Sequence, residues 1–482
     1  MTDTSHEVTY MHIQIKNTRV ITLMIALALF NFIFLATEYL FDNMMALVTS
    51  PSDVIAAQGY ILGASVIGFV VYPLLSVKIP ESVHSIAVFA GALAEIICMF
   101  VIWQRASYTL ILSAGCLAYV LIGIAGSALN YCLSRVTQRD SLGKTVAVSY
   151  ALGILFQYLN THLIQNSMAE SIILAVSSAV VAVLMLKAEH EQMEAAEDTV
   201  SLKKIENPHL AGMALIVVVM LMTCIFSTLD AAVTLVHVSG NGNVGNWPRL
   251  LLAVSALLAG VLDDACHQKY MNLIMYAVTL LSTLCIVVME NGESFYVGLI
   301  VFYLSAGFFV VYFTSSFMKL SYETNLPQLW AGLGRAVNNV CAFIMSSVSI
   351  KLLQSDNPVL RNGVVLVLFV LISVAFYFYV SFVKTPEEKK EDTAKETSIS
   401  EEERMQQFAK AFSLTHRETE VLQVLLVSDE NVQKIAEQLL ISRAALYRHI
   451  TSINEKTNTK SRIGLVQFYY RFEAGGTHEK DS

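Results

Sequence analysis

Residues 18–41 read TRVITLMIALALFNFIFLATEYLF, and this stretch decides the fold class. At about 1.5 Å of rise per residue, a helix of this length outspans the roughly 30 Å of bilayer hydrocarbon. The apolar stretch is too long for a signal-peptide core, and no small-x-small cleavage pattern closes it, so it reads as a retained first span. Similar runs recur near 54–77, 84–103, 109–133, 145–165 and 170–187, then near 211–235, 249–263, 271–289, 295–317, 331–353 and 360–383. Lipid cannot satisfy free backbone groups, and the runs lack the alternation of a barrel strand, so each is predicted to be a helix. Composition agrees. Of 482 residues, 55% are hydrophobic and 15% charged, against about 25% charged in an ordinary soluble chain. Mean hydropathy is +0.57.

The predicted fold class is all-α. It is a polytopic membrane helical bundle of two pseudo-repeated six-helix halves, followed by a small four-helix C-terminal helix-turn-helix domain. The expected boundaries are 1–187 for the first half, 188–210 for a charged cytoplasmic linker and 211–384 for the second half. An acidic linker (385–403), the small domain (404–472) and a tail (473–482) follow. The net charge of −8 hides an asymmetry: residues 385–403 carry eight acidic residues and three lysines, whereas 404–472 carry ten Lys or Arg and six Asp or Glu. A basic domain stands behind an acidic spacer. The seven cysteines form no closely spaced set and read as small buried hydrophobes, so neither a disulfide framework nor a zinc site is expected.

Charge sets the orientation. With the N-terminus inside, twelve Lys or Arg fall in the inner segments before the tail, and only Arg105, Arg249, Lys351 and Arg361 fall outside. That is the positive-inside pattern, and twelve spans return the C-terminus to the cytoplasm. The halves also echo each other. Glu38 and Asp230 stand 192 positions apart, as do Gly68 and Gly260; Leu142-Gly143-Lys144 and Leu333-Gly334-Arg335 stand 191 apart, each expected to open the fifth span of its half. A duplicated six-helix unit explains these offsets. The layout of residues 15–384 resembles the major facilitator superfamily. Gly260-Val261-Leu262-Asp263-Asp264, with His267 and Lys269, partly matches that family's loop motif. The first-half counterpart, Gly68 to Pro73, lacks the acid and the flanking basic residues.

In the tail, Thr415-x-x-Glu418 is a capping box ahead of an apolar helix. Asn431 caps a second helix over 432–440, Ser442 a third through about Lys456, and Ser461 a fourth that is rich in aromatic residues. Two short helices joined by a tight turn form a helix-turn-helix. Here the residues resemble the LuxR-type DNA-binding domain. Leu414-Thr415-x-Arg417-Glu418-x-Glu420-Val421-Leu422, Ile435-Ala436-Glu437-x-Leu439-x-Ile441-Ser442, His449-x-x-x-Ile453-x-x-Lys456 and Lys460-Ser461-Arg462 carry the match. The resemblance implies base reading at Tyr447, Arg448 and Thr451, and phosphate contacts at Lys434, Lys456 and Lys460; Arg443 joins the DNA-binding set. Ala445-Leu446 stands where relatives carry Thr-Val.

Charges inside a bilayer are costly and mark function or internal pairing. Glu38, Glu95, Asp230 and the more peripheral Arg335 are therefore singled out. Glu38 and Asp230 are ligand-sensing candidates facing a central cavity, with Asn31, Asn160, His162, Asn338 and Asn339 as polar helpers; the alternative is that the acids hold helices together. No catalytic motif is present, so the chain is not expected to be an enzyme, and no cofactor or metal is expected. The expected protein is a regulator in the bacterial cytoplasmic membrane. Its partners would be DNA, bound by a dimer at an inverted repeat, together with membrane lipid and a small-molecule ligand. The alternative is a secondary transporter with a regulatory tail. The topology is directly testable. Alkaline-phosphatase fusions after Ser482 should be inactive and those near Gly240–Gly242 active; an active C-terminal fusion would refute a cytoplasmic tail.

Overall fold

The structure, a computed structural model, describes residues 3–78, 80–164, 166–192, 207–238, 247–265, 269–289, 295–353, 357–383, 402, 404–428 and 430–472. Most of the charged linker, the acidic spacer and the tail after 472 lie outside the described residues, as do Gly240–Gly242, Cys266 and the side chain of Cys285. The chain divides into two compact units, Met1–Lys384 and Thr385–Ser482.

The first unit holds twelve α-helices among the described residues: α1 (Asp3–Met45), α2 (Pro51–Lys78), α3 (Glu81–Gln104), α4 (Tyr108–Val136), α5 (Leu142–Leu163), α6 (Ser167–Gln192), α7 (Pro208–Val238), α8 (Arg249–Ala265), α9 (Lys269–Met289), α10 (Phe295–Ser321), α11 (Pro327–Leu353) and α12 (Pro358–Val383). Nine of them are long and apolar enough to cross a membrane. α11 falls short because Arg335, Asn338 and Asn339 interrupt it, α8 because its described length is 17 residues, and α9 because its apolar segment, Tyr270–Leu284, is too short. Burial ranks the helices. In the apolar window of α1, 61% of residues are buried, against 22% in those of α3 and α12, so α1 is central and the other two are peripheral. The predicted opening of a fifth span holds for Leu142, the first residue of α5, but not for Leu333, which lies in the second turn of α11.

Each half has its own apolar core, but each core takes in residues of the other half: Met318, Ala331 and Ala336 of α10 and α11 pack into the first-half core. Ala147, Tyr150, Ala151 and Ile154 of α5 pack into the second-half core with Val218, Leu252, Ala256 and Phe309. The close approach of α5 and α8 explains Gly260: a Cβ there would lie 2.3 Å from that of Ala147.

The second unit contains five helices among the described residues, one more than the sequence suggested. α13 (residues 404–411) precedes α14 (His416–Val427), α15 (Val432–Gln438), α16 (Arg443–Thr457) and α17 (Arg462–Arg471). The missed signal was an apolar stripe, Met405, Phe408 and Phe412, at helical spacing; Met405 and Phe408 are buried in the core and Phe412 packs against it. All four predicted caps are in place. Thr415 accepts from Glu418 N, Asn431 from Lys434 N, Ser442 from Ala445 N and Ser461 from Gly464 N. α15 ends two residues earlier than expected, because Leu440 adopts φ 53° and turns the chain into α16.

Glu418 ties α14 to α16. Its carboxylate accepts from Thr415 N at 2.7 Å, Ser452 Oγ at 2.6 Å and Lys456 Nζ at 2.6 Å. Burial pushes this carboxyl upward, but the hydrogen bonds from Lys456, Ser452 and Thr415 outweigh it and hold it at about 2, below the ordinary 4.5. A lowered value means that the stabilisation is complete above about pH 4.5 and is lost as the pH falls towards 2. Urea unfolding of residues 404–482, followed by circular dichroism, should therefore show stability declining across that interval. Glu418→Gln should cost about 2 kcal/mol at pH 7 and flatten the acid dependence. An unchanged acid profile would contradict the role of Glu418.

Candidate DNA-binding surface and membrane cavity

In the second unit, α15 and α16 form the helix-turn-helix. Leu446, Ile453 and Thr457 are the buried residues of α16, with Leu446 and Ile453 packed against Ile435 and Ala436 of α15 in one core. Leu446 therefore has a core role, which fits its departure from the usual valine. The opposite face carries Arg443, Ala444, Tyr447, Arg448 and Thr451, all exposed. Steps of three and four keep them on one side of the helix. The structure thus gathers the expected base-reading residues and Arg443 onto one exposed face.

The remaining cations differ in their commitments. Lys434 is exposed and pairs with Glu430 at 2.9 Å. Lys460 is exposed. Lys456 is held by Glu418 and by the Ser413 carbonyl at 3.0 Å, so its charge is already met within the fold. Two arginines of the family-like motifs are also internal fasteners. Arg417 donates to Leu439 O at 2.6 Å, bracing the turn between α15 and α16. Arg462 donates to Leu425 O, Ser428 O and Glu430 O, covering carbonyls left open at the end of α14. The aromatic residues at the last helix are largely used inside: Phe468 and Phe472 pack on Phe408 and Phe412. The apolar side chains that α17 leaves exposed are Ile463 and Tyr470.

In the first unit, a cavity of about 200 Å³ lies between the halves. Glu38, Asp230, Asn338 and Asn339 line it, as expected. Asn31, Asn160 and His162 do not. Asn31 donates to Leu27 O within α1, Asn160 donates to Glu170, and exposed His162 contacts Tyr158 O. Sequence reading missed Asp42 and Arg249 as lining residues, and placed Arg335 too far out. Asp42 is one turn beyond Glu38 on the same helix, a spacing that was readable. Arg249 counted only as an outer loop charge; it begins α8 and donates to Gln157 Oε1 at 2.5 Å. Arg335 is 9% exposed and lies between the rings of Phe34 and Phe313, with centroids at 5.1 and 5.3 Å. Glu38 accepts from Gln58 Nε2 at 2.8 Å, and Asn339 Nδ2 reaches Ser65 Oγ at 2.8 Å. Three carboxylates and two guanidiniums thus face one chamber with aromatic walls.

The halves are fastened at the end away from this chamber. α8 carries Arg249 at one end and Asp263 and Asp264 at the other, roughly 21 Å along its axis. Asp264 accepts from Gly143 N at 2.9 Å and Lys144 N at 2.7 Å, capping the start of α5. Lys319 of α10 lies 2.9 Å from Asp263 and 3.5 Å from Asp264. Arg139 pairs with Glu323 at 2.7 Å, and Tyr322 donates to Thr137 O at 2.8 Å and to Ser134 O. The partial loop motif in the sequence is therefore half of a latch between halves. A Cβ on Gly143 would lie 2.6 Å from Asp263 Oδ2, so the latch needs that glycine.

Comparisons with known proteins agree with both parts. Residues 412–469 match the sequence profile of the bacterial regulatory proteins of the luxR family. The crystal structure of the human organic anion transporter MFSD10 is similar at TM-score 0.53 and 12% identity, covering 76% of this chain and 99% of that one. A bacterial homologue of the iron transporter ferroportin, in an outward-facing state, is similar at TM-score 0.52 and 12% identity, with the same coverage. At this identity the likeness is one of fold. Comparison with curated protein sequences yields no match. The chain joins a LuxR-type DNA-binding domain to a multi-pass membrane domain of the major-facilitator fold.

Proposed function

We propose that the protein is a one-component, membrane-bound transcription regulator. A small polar or charged molecule enters the central cavity and changes the balance between two arrangements of the halves. The change reaches the end of α12 and alters whether two tail domains pair on DNA. The observation that carries this reading is the convergence of Glu38, Asp42, Asp230, Arg249 and Arg335 on one chamber in a chain that also bears a DNA-binding domain. The charge bias of the loops supports cytoplasmic termini, which puts the latch on the cytoplasmic face and the chamber towards the outside. A ligand shifts such a balance only through its affinity difference between states; a swing from 1:99 to 99:1 needs about 5.5 kcal/mol. Secondary transport is the second reading. Ion pairs that gather at one end, with a polar chamber at the other, favour it, because alternating access needs fasteners that form on one face at a time.

On DNA, Arg448, Tyr447 and Thr451 read bases, while Arg443, Lys434 and Lys460 contact phosphates. Lys456 is a positioning residue that acts through Glu418. The exposed Ile463 and Tyr470 support pairing of two domains through α17 on an inverted repeat. Fluorescence anisotropy at fixed salt checks the first assignment. Arg448→Ala in residues 404–482 should weaken binding to the preferred site by about 1–3 kcal/mol more than to random DNA. An unchanged ratio of specific to non-specific affinity removes Arg448 from sequence reading. For the chamber, Glu38→Gln and Asp230→Asn should leave the protein folded in the membrane and abolish the response of a reporter gene to its inducing compound. A normal response in both variants would rule out sensing by these acids, and flux into vesicles loaded with the purified protein would favour transport.

A further inference from the structure

The first half contains a second cavity, separate from the central chamber, of about 160 Å³. It lies behind α3 and is walled by α1, α2, α4 and α6. One face of α3 lines it with small residues, Ala87, Gly91 and Ala92, and ends at Glu95. The other face of α3 carries Ile86, Phe89, Leu93 and Ile97, all more than half exposed, as suits contact with lipid. The cavity is therefore one helix away from the bilayer.

Two independent features mark it as built for an occupant. The first is Gly91. At the eight other described glycines of the first half, a Cβ would come within 3.0 Å of a neighbouring atom, so each of those glycines serves close helix packing. At Gly91 the nearest atom is Leu121 Cδ2, at 4.0 Å. Packing does not require glycine there, and its absent side chain enlarges the cavity. The second is Glu95. It is 7% exposed, and its one hydrogen bond among the described residues is from Ser178 Oγ to Oε1, at 2.8 Å. Oε2 has no such partner. A carboxylate among apolar walls is costly unless a donor or a counter-charge meets it.

We propose that this cavity binds a slender lipophilic amine, with its ammonium group on Glu95 and its apolar body along the small-residue face of α3. Empty apolar protein cavities of ~150 Å³ accept molecules the size of benzene, which sets the scale at roughly six to ten heavy atoms. From His84 to Glu95 the lining face of α3 runs about 16 Å, so a linear chain fits better than a broad ring system. Phe30 and Ile33 of α1 line this cavity, while Phe34 and Glu38 of the same helix line the central one. An occupant would therefore press on a wall that the two sites share.

The test is saturation binding of radiolabelled n-octylamine to the full chain in nanodiscs of phosphatidylcholine and phosphatidylglycerol. Empty nanodiscs give the background. One saturable site per chain is expected, displaced by excess unlabelled n-octylamine and not by n-octanol at the same concentration. Glu95→Gln should weaken binding at least tenfold. Gly91→Leu should abolish it by filling the space. If Glu95→Gln fails to fold, Gly91→Leu decides alone. Absence of saturable binding, equal displacement by n-octanol, or full binding by Gly91→Leu would each overturn the proposal.

Discussion

Carboxylates removed from water must be met by donors, and much of this structure follows from where those donors are. Asp264 finds them at the first turn of α5, on the opposite half of the membrane domain, and at Lys319 of its own half. Glu418 finds them at the first turn of its own helix and on α16. In both cases a helix start, which has unsatisfied N–H groups and a partial positive charge, supplies part of the answer, and a lysine supplies the rest. The consequence differs with context. Glu418 joins neighbours within one small core, so it fixes the angle at which the recognition helix is presented. Asp264 joins the two halves of the membrane domain, so it acts as a fastener between them.

The membrane domain is unequal in a way its internal repeat does not foretell. Gly68 and Gly260 occupy matching positions, yet Gly68 seats α4 within its own half, where a Cβ would meet Val120 O at 2.0 Å, while Gly260 seats α5 of the opposite half. The first half lacks the acid that would let it mirror the Asp264 latch. One end is thus held by ion pairs and capped N–H groups, and the other leaves its charges facing a chamber. Charges held in a chamber shielded from bulk water respond strongly to a charged or hydrogen-bonding guest. The region of α5 from Ala147 to Ile154, packed in the second-half core, runs on from the latch to Tyr150 in the chamber wall.

Patterns that depend on local chemistry were legible in the sequence. Caps at Thr415, Asn431, Ser442 and Ser461 require only a side chain and the N–H groups beside it, and all four are where the sequence put them. The exposed face of α16 followed from helical periodicity alone. Twelve helices followed from length and hydropathy, although α8, α9 and α11 are weak spans, α11 because Arg335, Asn338 and Asn339 interrupt it. What was hidden depends on distant partners. Arg335 looked peripheral because it stands two turns into α11; only the fold puts Phe34 and Phe313 on either side of it. Asn31, Asn160 and His162 looked like cavity residues, but hydrogen bonds within the first half occupy the first two and leave His162 on the surface. The pairing of Lys456 with Glu418, 38 positions away, was equally hidden.

The central claim is that the arrangement of the membrane halves controls DNA binding by the tail. It is tested most directly by fixing that arrangement. Cysteines placed at Arg139 and Glu323, joined by a short thiol-reactive cross-linker in a background without other reactive cysteines, would hold the latched end closed. The affinity of the full chain in nanodiscs for its preferred DNA duplex is then measured before and after cross-linking. Cross-linking should change this affinity at least severalfold and make it insensitive to a compound acting through the chamber. Identical affinities before and after cross-linking would contradict it and leave the membrane domain as an anchor for an independent DNA-binding domain.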